Sequence, residues 1–278
     1  MADHSKIQWT EASWNPWHGC IKVSAGCKYC YMYRDKEKYG QDPTTAQRSK
    51  TKFNDPLKWK EPKIIFTCSW SDWFIDLADE WRDEAWAIIK ATPQHTYQIL
   101  TKRPERILGH LPDDWGNGYT NVWIGVSVEN QAAANERIPL LLEVPAAVRF
   151  LSCEPLLSNV KISDWFYPRE LIGMTVSNLD ETKYSSLEQE IHWVIVGGES
   201  GNEIGKYRYR PSELQWYYDI INQCIEAGVP VFVKQLGTHL SKQLGLKDRH
   251  GGNIDEFPAG LQIRQFPKTQ NQFNNETK

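Results

Sequence analysis

Short, almost wholly apolar runs alternate with amphipathic stretches along most of this chain, and that alternation restricts the fold more than any other feature. The runs are Lys63 to Ser69 (KIIFTCS), Thr96 to Thr101 (TYQILT), Asn121 to Val128 (NVWIGVSV), Val148 to Cys153 (VRFLSC), His192 to Gly197 (HWVIVG) and Pro230 to Gln235 (PVFVKQ). They are rich in β-branched and aromatic residues and nearly continuous in their apolar character. Such strands are buried on both faces, as in a parallel sheet covered by helices. The segments between them supply the helices. Asp79 to Thr92 places Trp81, Ala85, Ile88 and Ile89 on one face, Pro104 opens a short helix through Leu111, and Gln131 to Leu142 and Ser212 to Ala227 also read as helices. With a first strand near Ile7 to Trp9, about seven strand–helix units result, close to the eight that close a barrel. The expected fold is therefore α/β: a single (β/α) barrel of parallel strands, complete or partial, over residues 1–267. Phe166 to Glu190 is polar and aperiodic and reads as an insertion between the fifth and sixth strands. The tail from Lys268 to Lys278 has too little apolar surface to pack and is expected to be disordered.

Composition removes several classes of function. The net charge of −3 gives no global argument for nucleic acid. No run is long enough to cross a bilayer, and the polar stretch Met1 to Thr10 is no signal peptide, so a cytoplasmic protein without membrane contact is expected. In a reducing compartment the six cysteines would be free thiols, available to metal or redox chemistry. Most of the thirteen tryptophans read as core or rim packing.

Three of the cysteines, Cys20, Cys27 and Cys30, lie in one short loop as C-x6-C-x2-C, while Cys68, Cys153 and Cys224 are scattered. Three thiolates can hold three irons of a [4Fe–4S] cube and leave the fourth iron open to a small molecule. The same residues suit zinc equally well on spacing, with His18 as a fourth ligand. Parallel α/β folds carry their sites at the carboxyl ends of the strands. Here those ends bear Ser69, Ser71 and Asp72; Thr101, Lys102 and Arg103; Ser127, Glu129 and Asn130; Cys153 and Glu154; Gly197, Gly198, Glu199 and Ser200; and Lys234 with Gln235. Six polar ends on one rim point to a shared pocket. Each also has a plainer use: Asn130 can cap a helix, and Glu154 and Glu199 can pair with Lys102, Arg103 or Lys234. Lys206 to Arg210 (KYRYR) interleaves basic residues with tyrosines, a pattern able to follow a phosphate chain and stack bases, or simply a solvated loop.

The cysteine loop with an aromatic before its last Cys (Cys27-Lys28-Tyr29-Cys30) resembles the radical S-adenosylmethionine superfamily, although six residues rather than three separate Cys20 from Cys27. The chain is also similar to a phage-associated family of three-cysteine-motif proteins, at Trp14-Asn15-Pro16, Cys20 to Tyr31, Ser71-Asp72, Leu100 to Pro104, Val122 to Asn130, Arg149 to Leu157, Val194 to Gly201, Arg210-Pro211 and Gly228 to Gln235. The superfamily resemblance implies a radical-SAM-like barrel and an enzyme whose [4Fe–4S] cluster, on Cys20, Cys27 and Cys30, splits S-adenosylmethionine into methionine and a 5′-deoxyadenosyl radical. It implies a one-electron donor such as flavodoxin or ferredoxin. It also implies cofactor contacts from Tyr29, Ser69, Ser71, Asp72, Ser127, Glu129, Asn130, Glu154 and Glu199. The usual Gly-Gly-Glu is absent from the second strand. Cys153 and Lys102 are the expected catalytic residues, with Cys153 a hydrogen-atom donor. Arg103, Arg210 and Lys234 are expected to meet a substrate, with a nucleic acid or nucleotide among the classes considered. A zinc- or cluster-stabilised protein that binds nucleic acid or senses redox state without catalysis is the alternative.

Overall fold

In a computed structural model, which describes residues 5–167 and 190–267, seven strands form one all-parallel sheet. They are β1 (Ala12–Trp14), β4 (Ile64–Thr67), β5 (Thr96–Thr101), β6 (Val122–Ser127), β7 (Val148–Cys153), β8 (Trp193–Gly197) and β9 (Val231–Gln235), hydrogen-bonded in that order. Two short strands, β2 (Trp17–His18) and β3 (Gln47–Arg48), make a separate antiparallel pair. Helices α1 (Tyr31–Lys38), α2 (Asp79–Ala91), α3 (Gln131–Leu142), α4 (Leu214–Glu226) and α5 (Gly237–Gln243) are found among the described residues. None of the helices there is long and apolar enough to cross a membrane.

The expected strands are found, except the first. Residues Ile7 to Trp9 do not extend; β1 begins at Ala12, and Trp9 is instead a buried plug. Its ring centroid lies 4.6 Å from Phe66 on β4 and 6.2 Å from Trp193 on β8. Those strands stand four places apart, about 19 Å on a flat sheet. One side chain touches both only because the sheet curls into a half-barrel. Among the described residues β1 and β9 do not pair, so the barrel is partial. The expected helix from Pro104 to Leu111 is two short 3-10 turns, Pro104–Arg106 and Leu108–His110. Of the expected insertion, Phe166 is buried and Tyr167 donates its hydroxyl to the Ala227 carbonyl at 2.7 Å; residues 168–189 lie outside the described residues, as does the tail from residue 268.

Alternation along each strand divides the core in two. Outward residues such as Ile99, Val126, Leu151 and Val196 meet the apolar faces of the helices, including Ala85, Ile88 and Ile89 of α2 and Tyr217, Ile220 and Ile221 of α4. Inward residues near the amino ends of the strands (Phe66, Trp123, Phe150, Trp193 and Phe232) close around Trp9 as an aromatic floor. Gly125 faces inward on β6, where an added Cβ would stand 2.6 Å from the Phe150 ring. Toward the carboxyl ends the inward positions become polar, so the half-barrel has a dry floor and a polar mouth.

Candidate functional site

The cysteine loop leaves β2 and lies across that mouth. It starts at Gly19, whose φ of +105° is left-handed and where a Cβ would collide with the Thr45 carbonyl. Gly19 donates to Trp70 O at 3.0 Å and accepts from Ser71 Oγ at 2.6 Å, while Cys20 N donates to Pro43 O at 2.9 Å. The loop then makes a 3-10 turn at Ala25–Cys27 and ends with Cys30 in the N-cap position of α1. Two tyrosines of α1 point back: Tyr31 donates to the Ser69 carbonyl, and Tyr33 to the Cys20 carbonyl at 2.5 Å.

Three ion pairs at the ends of three strands hold this loop. After β5, Arg103 pairs with Asp72 at 3.1 Å, donates from Nη2 to Ile21 O at 2.8 Å, and directs Nη1 to Cys20 Sγ at 3.8 Å. After β6, Glu129 accepts from Ser24 Oγ at 2.7 Å and from Arg137 of α3 at 2.9 Å, with Lys102 Nζ at 3.6 Å. After β8, Glu199 takes a fork from Arg210 (Nε to Oε2 at 2.8 Å, Nη2 to Oε1 at 2.5 Å), and Arg210 Nη1 donates to Ala25 O at 2.8 Å. The Arg210 guanidinium also lies 5.3 Å from the Tyr29 ring centroid. Burial alone would disfavour the charge on Glu129, but Lys102, Arg137 and the Ser24 hydroxyl outweigh it and hold its pKa below the usual carboxylate range.

The triad thiols are free and partly buried, and each has a different neighbour. Burial pushes the Cys20 thiol up to about 12, Asp72 adds to the rise, and Arg103 opposes it. Burial also raises Cys30, against the backbone amides of Met32 and Tyr33 at the start of α1. Cys27 Sγ lies 3.8 Å from Ser24 Oγ. Among the described residues no three His, Cys, Asp or Glu side chains are gathered as ligands around one metal ion. The donor set itself, three thiols on one loop with Arg103 and Lys102 beside them, has the softness and compensating charge that a thiophilic metal group requires. His18, two residues before Cys20, is half-buried with its Nδ1 atom buried and unbonded, and burial followed by Lys36 lowers its pKa.

The other expected site residues fall into three groups. Inside the mouth, Lys102 Nζ donates to Ser127 Oγ at 2.7 Å, and Lys234 Nζ to Glu154 Oε1 at 2.6 Å, with Gly197 leaving room beside Glu154. Committed to holding the structure are Asp72, Ser69, Ser71 and Asn130. Asp72 accepts from Thr101 Oγ1 (2.7 Å), Phe74 N (3.0 Å) and Lys102 N (2.9 Å). Ser69 bonds Asn15 at 2.9 Å, and Asn130 caps α3 by accepting from Ala133 N at 2.9 Å. Away from the mouth is Cys153, which turns outward from β7 and is fully buried in the layer against the helices, near Cys224 of α4, whose thiol is pushed up by burial first and by Cys153 second. The basic run is largely spent on ion pairs: Lys206 binds Glu37 at 2.8 Å and Arg210 binds Glu199. Sequence reasoning missed Ser24, Gly26 and Arg137. Arg137 carried a signal, since a charged residue on the buried face of a helix requires a carboxylate partner.

Beside the loop, Ile21 and Val23 border a cleft of about 340 Å³ that Lys102, Arg103, Arg106 and Arg137 also line. No curated protein and no solved structure matches the chain. Residues 4–272 match a family described as "Protein of unknown function (DUF5131)", and the chain belongs to that family.

Proposed function

We propose that this protein is a radical S-adenosylmethionine enzyme in which Cys20, Cys27 and Cys30 hold a [4Fe–4S] cluster at the mouth of the half-barrel. The observation that carries the reading is the cysteine loop itself, fixed over the polar mouth by Arg103, Glu129 and Arg210. When bound, the cluster would supply one electron, taken from a donor such as flavodoxin or ferredoxin, to cleave S-adenosylmethionine to methionine and a 5′-deoxyadenosyl radical. The chain's residues do the rest. The aromatic floor around Trp9 excludes water from the interior, which protects a reactive carbon centre. Tyr29, set beneath Arg210, borders the loop next to Cys30. Lys102 with Ser127 and Lys234 with Glu154 offer charged donors and acceptors to the amino, carboxylate and hydroxyl groups of the cofactor or of a substrate.

A second reading is zinc held by the triad with His18, and it draws on the unbonded Nδ1 of that residue. Anaerobic reconstitution with iron and sulfide, followed by metal analysis and a visible spectrum, separates the two. A brown protein that yields 5′-deoxyadenosine from S-adenosylmethionine and dithionite is expected. Cys20→Ala, Cys27→Ala and Cys30→Ala should each lose most of the iron, whereas Cys224→Ala, buried in the outer core, should keep it. A colourless protein carrying one zinc sinks the proposal.

A further inference from the structure

Arg103 is the one cation among the described residues whose hydrogen bond reaches a triad sulfur. Its residue is 6% exposed, and its place is fixed from both sides. Behind it, Asp72 takes Nη1 at 3.1 Å, and Asp72 is itself held by the Thr101 hydroxyl and the amides of Phe74 and Lys102. In front, Nη2 grips the Ile21 carbonyl while Nη1 faces Cys20 Sγ. The backbone of Arg103 is anchored too, since its N–H donates to Thr101 Oγ1 at 2.9 Å. The other two sulfurs take no hydrogen bond from a cation among the described residues: Cys27 has the Ser24 hydroxyl, and Cys30 has the Met32 and Tyr33 amides, with Lys102 acting on it through charge alone.

We propose that Arg103 is a positioning residue with two effects: it fixes the Cys20 end of the metal-binding loop, and it places a permanent positive charge on one of the three cluster sulfurs. The second effect rests on the cluster reading above. Reduction adds a negative charge to the metal group, and a cation hydrogen-bonded to a ligand sulfur stabilises that charge, so Arg103 makes the cluster easier to reduce. The unequal neighbours also make the Cys20 corner electronically distinct from the other two. Lysine cannot replace this arrangement fully, because the fork that spans Asp72, Ile21 and Cys20 needs more than one nitrogen.

The test uses the full chain with Arg103→Met and Arg103→Lys, each checked for wild-type secondary structure by circular dichroism. In the metal-free protein, amide hydrogen exchange over residues 20–30 should be roughly ten- to a hundredfold faster in Arg103→Met than in wild type, the loss expected for a hydrogen bond from a charged donor, with α4 unchanged. Arg103→Lys should fall between the two. In the reconstituted protein, a dithionite titration followed by electron paramagnetic resonance should give a more negative midpoint for Arg103→Met and a midpoint close to wild type for Arg103→Lys. Unchanged loop exchange in Arg103→Met overturns the positioning role. An unchanged midpoint in a fully loaded Arg103→Met overturns the charge effect. If wild-type protein takes up no cluster, the enzyme reading and the charge effect fall together, and the exchange measurement still decides the positioning role.

Discussion

Gly26 packs directly against the Glu129 side chain, and Gly26→Ala tests how the loop is held. Gly26 lies in the 3-10 turn Ala25–Cys27 and does not have a left-handed φ, so alanine fits its backbone. Chain entropy alone would then favour alanine by about 0.4–1 kcal/mol. Sterics oppose it: an ideal Cβ would land on Glu129 Oε1, 2.6 Å from Cγ and 2.8 Å from Cδ. Glu129 cannot retreat freely, because its side chain is 1% exposed and holds Arg137 at 2.9 Å and Ser24 at 2.7 Å. Overpacking costs about 1–3 kcal/mol, and a broken hydrogen bond to a charged group about 1.5–3 kcal/mol. A net loss of about 1–3 kcal/mol follows, read as a lower denaturation midpoint in urea with tryptophan fluorescence and an unchanged slope. The decisive measurement is a double-mutant cycle with Glu129→Ala, which removes the obstructing carboxylate. In that background Gly26→Ala should be nearly neutral, a coupling of about 1–3 kcal/mol. Gly109→Ala, where nothing lies within 4 Å of the new Cβ, controls for the generic effect. An equal cost of Gly26→Ala with and without Glu129 would refute the contact.

Three further outcomes are expected. Gly125→Ala should cost about 1–3 kcal/mol by driving Cβ into the Phe150 ring, and Phe150→Leu should recover part of that loss; a midpoint unmoved by Gly125→Ala contradicts the packing of the aromatic floor. Asn130→Ala should destabilise by about 0.5–2 kcal/mol through loss of the α3 cap, while Asn130→Asp stays close to wild type; equal losses in both variants would argue for another role. The side chains of Thr45 and then Thr44 lower the Asp42 pKa from 3.8 to about 2, so the turn next to Cys20 gains stability above the ordinary aspartate range and loses it as pH falls through about 2. The Thr44 amide resonance should report that midpoint, and a midpoint near 3.8 counts against the turn.

The parallel sheet was legible because strands buried on both faces leave near-continuous apolar runs, and six of the seven sheet strands stand where such runs occur. The first was misplaced because an apolar residue serves equally well in a strand or in a plug, and only the curl of the sheet makes Trp9 the latter. Helix α1 (YMYRDKEK) was not anticipated, since its charged sequence has no continuous apolar stripe and its start depends on the loop geometry at Cys30. The polar rim was visible as residue types at strand ends, but the partners were not. Nothing local in the sequence says that Glu129 takes Arg137 and Ser24, or that Arg210 turns away from solvent onto Glu199. Those choices are made in the folded chain: Ser24 and Glu129 are 105 positions apart, and even Arg137 and Arg210, 8 and 11 positions from their carboxylates, reach them only through the path of the chain at the strand ends.

In the loop between Gly19 and Cys30 (GCIKVSAGCKYC) no residue after Gly19 is buried, and Ile21 and Val23 are 43% and 47% exposed, so hydrophobic burial cannot fix it. Directional bonds take that role: the Ser71 and Tyr33 hydroxyls hold its start at Gly19 and Cys20, and Arg103, Glu129 and Arg210, charged groups already paired at the rim, hold Ile21, Ser24 and Ala25. This gives the loop a particular kind of rigidity. Buried ion pairs stabilise little when intact, because desolvation offsets most of the Coulomb attraction, but removing one partner of a buried pair costs about 3–5 kcal/mol. Arg103, Glu129 and Arg137 are nearly buried, so a small displacement of the loop forfeits hydrogen bonds without freeing these charges to water. Intermediate positions are therefore the least favourable. The loop should be either seated on all three ion pairs or lifted from them together, and the cysteines would reach a bound metal group as a set.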